Sequence, residues 1–195
     1  MLARLDHDRL GANSLLDTLI FGRRSGEHAA ERAHGRAMPS NGDAKLREDV
    51  DLIDSIMGRE RSGRRVSEIK DELGTAMNRY CAVYRDEAGL QKASEIVHRL
   101  KEEAKTAYID DRGSVFNQDV LGAIELGFLL DNAEATCIGA LHRTESRGAQ
   151  FRTDHPERND EEWLKHIDLA LNETGPEISY SEVTITQWEP QERTY

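Results

Sequence analysis

Residues 117–142 read NQDVLGAIELGFLLDNAEATCIGALH, and this stretch decides the fold class. Asn117 is a residue type that caps helices, and the run behind it is expected to stay helical to about His142. On that helix Leu121, Ile124, Phe128, Ala135 and Ile138 lie along one side, and Val120, Leu130 and Cys137 along another. Apolar coverage this broad marks the most buried member of an antiparallel bundle, about 35–40 Å long at the helical rise.

Immediately upstream, Leu90, Ala93, Val97, Leu100 and Ala104 form a stripe opposite Lys92, Glu95, Arg99 and Glu102. Before them, Val66, Ile69, Leu73, Met77 and Tyr80 recur at three- and four-residue steps. A weaker pattern, Leu46, Val50, Ile53 and Met57, precedes the basic, glycine-interrupted run 59–65. Farther out, Leu15, Leu16, Leu19 and Ile20 make a first stripe, with Asn13 or Ser14 as cap, Asp17 as a short capping-box acid, and an end near Ala33. His34 to Ala44, holding Gly35, Pro39, Asn41 and Gly42, is loop chemistry and the best candidate for a domain boundary.

Downstream of Ser146 the texture becomes irregular and charged. Ile167, Leu169 and Leu171 then alternate with Asp168 and Ala170, 172–176 is a turn, and Ile178, Tyr180, Val183 and Ile185 read as a returning strand. The alternation slips between Tyr180 and Val183, which predicts a bulge or a corner. The sequence contains no internal repeat and no low-complexity tract. The expected class is mainly α: a bundle of about three long helices, preceded by one further helix and followed by an irregular segment and a β-hairpin.

The chain has 195 residues and a formal charge of −11. Such an acidic balance, with no Lys/Arg stripe, argues against nucleic-acid binding, which needs a concentrated basic face. No apolar run approaches the roughly 20 residues that span a bilayer, and the start Met1-Leu2-Ala3-Arg4 leads into charge, so the chain is expected to be neither secreted nor membrane-spanning. Cys81 and Cys137, far apart and outside any Cys-x-x-Cys pattern, read as buried, reduced structural thiols of a cytosolic protein.

Gly-x-Gly-x-x-Gly, Walker, Gly-x-Ser-x-Gly and His-Glu-x-x-His motifs are absent. His142, His155 and His166 could converge with Asp154 or Glu145 on a metal, but neither spacing nor ligand types match a known site, so no metal is expected. Arg143, Arg147, Arg152 and Arg158 interleave with Glu145, Asp154, Glu157 and Asp160, the pattern of an ion-pair network locking an irregular segment, with an anion site as the other reading. Here Arg143 and Arg147 are expected to pin the end of the long helix, Gly148 to let the chain leave it, and Trp163 to anchor the hairpin. The segment Arg9 to Asp17 runs from a glycine-containing loop into a helix start, whose free N–H groups and dipole favour negative charge, with Arg9 close enough to hold a carboxylate. A capped surface helix with a nearby arginine has the same pattern.

Together these segments resemble the C-terminal third of the flavoprotein subunit of succinate dehydrogenase and fumarate reductase. Arg9-Leu10-Gly11-Ala12-Asn13-Ser14-Leu15-Leu16-Asp17 with Phe21-Gly22-Arg23 resembles the family's last flavin-contacting loop and helix. Glu125-Leu126, Asp131 and Ala133-Glu134 are similar to the third helix of its C-terminal bundle. The strongest match is Arg143-Thr144-Glu145-Ser146-Arg147-Gly148-Ala149, continuing through Arg152, Asp154, Pro156, Glu157-Arg158, Asp160 and Trp163-Leu164-Lys165-His166 to Pro190 and Arg193-Thr194-Tyr195. Gln150 stands where the family usually has histidine, and residues 1–8 do not follow its pattern. The family's dinucleotide-binding glycines, covalent-flavin histidine, acid/base arginine and capping domain have no counterpart here, so the chain reads as a truncated or split subunit.

The resemblance implies three parts: 1–36, the end of an FAD-binding domain; 37–145, the helical bundle; 146–195, an irregular segment and hairpin. It implies succinate oxidation to fumarate with FAD, fumarate reduction being the close alternative. Arg9 would grip a substrate carboxylate, the Ser14 and Leu15 backbone would face the flavin, and no catalytic residue would lie in this chain. The implied partners are the missing FAD-binding half, an iron–sulfur subunit and, indirectly, membrane-anchor subunits that lead electrons to quinone, with no nucleic acid. The assembled protein would sit on the cytoplasmic face of the cell membrane, while this chain alone would be inactive. The competing expectation is a non-catalytic helical module that binds a partner or complements a separately encoded FAD domain.

Overall fold

A computed structural model describes residues 13–38, 42–172, 175–187 and 189–190. In chain order the elements are α1 (Asn13–Ala33), α2 (Asp43–Gly58), α3 (Val66–Tyr80), β1 (Tyr84–Arg85), α4 (Glu87–Ala104), α5 (Gln118–His142), β2 (Phe151–Arg152), α6 (Asp160–Trp163), β3 (Lys165–Asn172) and β4 (Gly175–Glu182). The architecture is the expected one, mainly helical with a C-terminal antiparallel hairpin.

The core lies among α3, α4 and α5. Ile69 and Leu73 of α3 meet Leu90, Ala93, Val97 and Leu100 of α4, and Leu126, Leu130, Ala133, Cys137 and Ala140 of α5. Each large aliphatic side chain buried there contributes roughly 1.5–3 kcal/mol. Helix starts agree with their chemistry: Asp86 accepts from the Gly89 N–H at 2.7 Å, and Asn117 from the Val120 N–H at 3.0 Å. A ring of four charges ties the outer edges together, with Arg64 at 2.7 Å from both Glu72 and Glu103, and Arg99 bonded to the same two carboxylates. These arginines hold both carboxyls below the usual glutamate range.

Three expectations change. The core face of α5 is the stripe Leu126, Leu130, Ala133, Cys137 and Ala140, while Leu121 and Phe128 point outward. An almost uniformly apolar helix has no moment to choose its inward face, so its neighbours choose it. The strands β3 and β4 pair without a break from Lys165↔Glu182 to Asn172↔Gly175, so the slip in alternation is the end of β4 rather than a bulge. Gly175 at φ +122° supplies a backbone geometry at the hairpin turn that other residues resist. Finally, Asn13 and Ser14, expected as caps, lie within the helical span of α1, and the residues before them lie outside the described residues.

Every side chain described on α1 is exposed, and its apolar stripe of Leu15, Leu16, Leu19, Ile20 and Phe21 faces solvent. Among the described side chains of α2 only Ile56 is buried, with Met57 packed beside it against the bundle. Among the described residues no helix is long and apolar enough to cross a membrane.

Candidate functional site

The substrate-binding candidate Arg9 lies outside the described residues. Ser14 and Leu15 sit in the first turn of α1, where backbone N–H groups lack intrahelical acceptors and the helix dipole is positive. No acidic side chain occupies that turn to compete for them. Leu15 is 73% exposed. A group that gains negative charge fits this turn chemically.

The other charged region is built around two buried side chains. Glu145 is fully buried and accepts from Arg143 at 2.7 Å, from Arg147 at 2.7 and 3.1 Å, and from the Asn159 N–H at 2.9 Å. Arg147 reaches on to Asp160 at 2.6 Å, and Arg158 grips the same carboxylate. Arg158, with Arg147 behind it, lowers the Asp160 pKa to about 2. This is the ion-pair network read from the alternating charges.

Its second center corrects that reading. Arg152, 1% exposed, donates to Ala140 O at 2.9 Å, Leu141 O at 3.3 Å and Arg143 O at 3.4 Å, and forks onto both Asp154 oxygens at 2.8 Å. Arg152 therefore closes the negative end of α5, the role expected of Arg143 and Arg147. Asp154 in turn accepts from the Glu87 N–H at 2.8 Å, placing its charge at the positive end of α4. The Arg152 guanidinium holds the Asp154 carboxyl well below the usual aspartate range. Arg143 instead bonds Trp163 O at 3.0 Å and Lys165 O at 2.7 Å, linking the helix end to the hairpin. Gly148, at φ +59°, serves not the helix end but a tight turn in which Arg147 and Gln150 exchange backbone bonds of 3.0 and 3.1 Å.

Gln150 accepts from Arg85 at 3.2 Å and donates to Arg143 O at 3.2 Å. It lies beside a short parallel pairing of β1 with β2, Tyr84↔Phe151 and Arg85↔Arg152, which no local pattern announces. Trp163 is buried as expected; its indole donates to Thr144 Oγ1 at 3.1 Å and meets Tyr180 edge-on at 6.2 Å. Glu145 and Asp154, the two carboxylates considered for a metal, are thus committed to arginines. Cys81 and Cys137 are both free thiols buried in the bundle core, as expected.

A model of the fumarate reductase flavoprotein C-terminal region matches residues 70–195. The fumarate reductase flavoprotein subunit of Haemophilus influenzae is 42% identical over 191 residues, covering 96% of this chain and 32% of its own length. The succinate dehydrogenase flavoprotein subunit of Rickettsia conorii is 33% identical over 186 residues, covering 92% and 30%. A solved Escherichia coli quinol fumarate reductase aligns with a TM-score of 0.84 at 35% identity, covering 94% of this chain and 32% of that one. The chain spans about a third of the length of the curated relatives it matches.

Proposed function

Because this chain belongs to the family of fumarate reductase and succinate dehydrogenase flavoprotein subunits, we propose that it forms the C-terminal part of a flavin site that interconverts succinate and fumarate. The observation that carries this reading is the match along residues 70–195 to the C-terminal region of that family. We infer succinate oxidation as the working direction. The higher identity to a subunit named fumarate reductase, 42% against 33%, favors the reverse direction as the second reading.

In this role Arg9 holds one carboxylate of the dicarboxylic acid through paired, planar hydrogen bonds, a geometry that guanidinium supplies and ammonium does not. The backbone N–H groups at Ser14 and Leu15 would hold the edge of the flavin on which reduction places negative charge, which suits the positive end of α1. Bound FAD supplies the hydride-accepting chemistry. The residues of this chain orient and stabilize, and none of them moves the substrate proton. The bundle and the arginine network hold the C-terminal region in shape beside that site.

Electrons then leave through an iron–sulfur subunit toward quinone, with membrane-anchor subunits contacted indirectly and the assembly peripheral on the cytoplasmic face of the membrane. The exposed stripe Leu15, Leu16, Leu19 and Ile20 favors a second, non-catalytic reading, in which α1 docks a flavin-binding half encoded separately. Produced by itself, the 195-residue chain is expected to be colorless and inactive toward succinate. The test is Arg9→Lys in the enzyme completed by a flavin-binding half. Activity should fall about ten- to a hundredfold, the cost of roughly 1.5–3 kcal/mol for a lost charge-assisted pair, while flavin stays bound. Unchanged turnover and substrate affinity would remove Arg9 from the site.

A further inference from the structure

A cleft of about 230 Å³ opens between the N-terminal ends of α3 and α5, with the segment 108–110 along its floor. Its frame is fixed by the backbone. The Val66 N–H donates to Tyr108 O at 3.2 Å and the Tyr108 N–H to Arg64 O at 3.0 Å, while one Asp119 oxygen, Oδ2, accepts from the Asp110 and Asp111 N–H groups at 3.2 and 2.9 Å. Gly122 stands on the α5 wall, and a Cβ there would meet no atom within 4 Å. Glycine inside a helix costs about 1 kcal/mol relative to alanine, so this part of the cleft stays open against helix propensity. At about 30 Å³ for each water-sized unit, the volume admits about eight non-hydrogen atoms, the size of threonine.

The two walls differ in charge. On the α3 side stand Lys70 and Ser67, and on the α5 side Gln118 and Asp119. Of the six lysines, Lys45, Lys92, Lys101 and Lys105 are in ion pairs, and Lys165 lies over the Trp163 and Tyr180 rings. Lys70 alone has no partner among the described residues. Arg65, which also lines the cleft, is by contrast paired with Asp110 at 2.9 Å. Asp119 Oδ1 accepts no bond among the described residues, and the Ser67 hydroxyl, the Tyr108 hydroxyl and the Gln118 amide are equally free there. Val66 and Ile109, both buried, add an apolar surface between the walls. A few free polar groups converging on a preformed concave space with an apolar base is the makeup of a small-molecule site.

We propose that this cleft binds a small zwitterionic α-amino acid, with its carboxylate on Lys70 and Ser67, its ammonium on Asp119, and a short side chain against Val66 and Ile109. The ammonium of Lys70 and the hydroxyl of Ser67 are donors that a carboxylate accepts from, and the free Asp119 oxygen is an acceptor for an ammonium. A simple carboxylate answers only the α3 wall, and a simple amine only the α5 wall. An amino acid carries both poles and leaves neither charge unanswered.

The test titrates the full, nitrogen-15-labeled chain with L-threonine, L-lactate or ethanolamine and follows the amide resonances of Tyr108, Ile109 and Asp119. L-Threonine should shift them saturably, while L-lactate, which lacks the ammonium, and ethanolamine, which lacks the carboxylate, should bind roughly tenfold or more weakly, the loss of one charge-assisted contact. Lys70→Met should weaken L-threonine to the same degree with an otherwise unchanged spectrum, since the ammonium holds nothing in place. Gly122→Leu should abolish binding by filling the space, and Lys70→Met decides the matter even if that variant folds poorly. No saturable shift with L-threonine, equal affinity for L-lactate or ethanolamine, or undiminished binding in Lys70→Met overturns the proposal; the last places the ligand elsewhere, as at Arg9.

Discussion

Replacing Arg152 by methionine should destabilize the chain by about 3–5 kcal/mol, the range for breaking a buried charge pair from one side. The magnitude has two sources. Ala140 O, bonded at 2.9 Å in a buried position, loses its donor at the end of α5, which costs roughly 1–3 kcal/mol for an unsatisfied buried group. The Asp154 fork, two bonds at 2.8 Å, adds roughly 1.5–3 kcal/mol, toward the lower figure because the Asp154 side chain is 30% exposed and water can replace part of it. Arg152→Lys should fall between, since an ammonium cannot span both the carbonyls and the carboxylate. Asp154→Asn should cost least, because its amide oxygen can still accept from the Glu87 N–H. The assay is urea unfolding followed by far-ultraviolet dichroism, comparing midpoints at constant slope. A loss below about 1 kcal/mol for Arg152→Met, or an equal loss for Asp154→Asn, would refute the assignment of Arg152 to the helix end.

Trp163→Ala should cost roughly 3–5 kcal/mol, since the indole is almost fully buried and bonded to Thr144; amide exchange in β3 should accelerate, and unchanged exchange would show that the hairpin is anchored elsewhere. The low Asp160 pKa predicts stability that is fully present above the unfolded aspartate value near 4 and lost as pH falls through about 2; melting temperature against pH for wild type and Asp160→Asn should differ in slope only in that window.

Where structure follows from contacts close in sequence, the residues announce it. Asn117 marks the start of α5, and the stripes over 66–80 and 87–104 mark α3 and α4, because a helix face repeats every three or four residues. Where it follows from distant contacts, they do not. The inward face of α5 is chosen by its neighbors, the β1–β2 pairing joins residues 84–85 to 151–152, and Arg152 finds the end of α5 across a turn. The arginine and carboxylate alternation predicts a network but not its wiring, since any of four arginines could have met any of the acids. Of the candidate flavin-site residues, Ser14 and Leu15 lie in a helix that the apolar stripe announces, although the expected cap is itself helical, and their role, like that of Arg9, rests on resemblance.

The most direct measurement replaces the C-terminal third of the Haemophilus influenzae fumarate reductase flavoprotein subunit with this chain, which is 42% identical to it over 191 residues, and records the flavin spectrum. The account predicts a folded chimera with stoichiometric bound flavin that succinate reduces and fumarate reoxidizes. A folded chimera without flavin, or one whose flavin spectrum neither dicarboxylate changes, would contradict it.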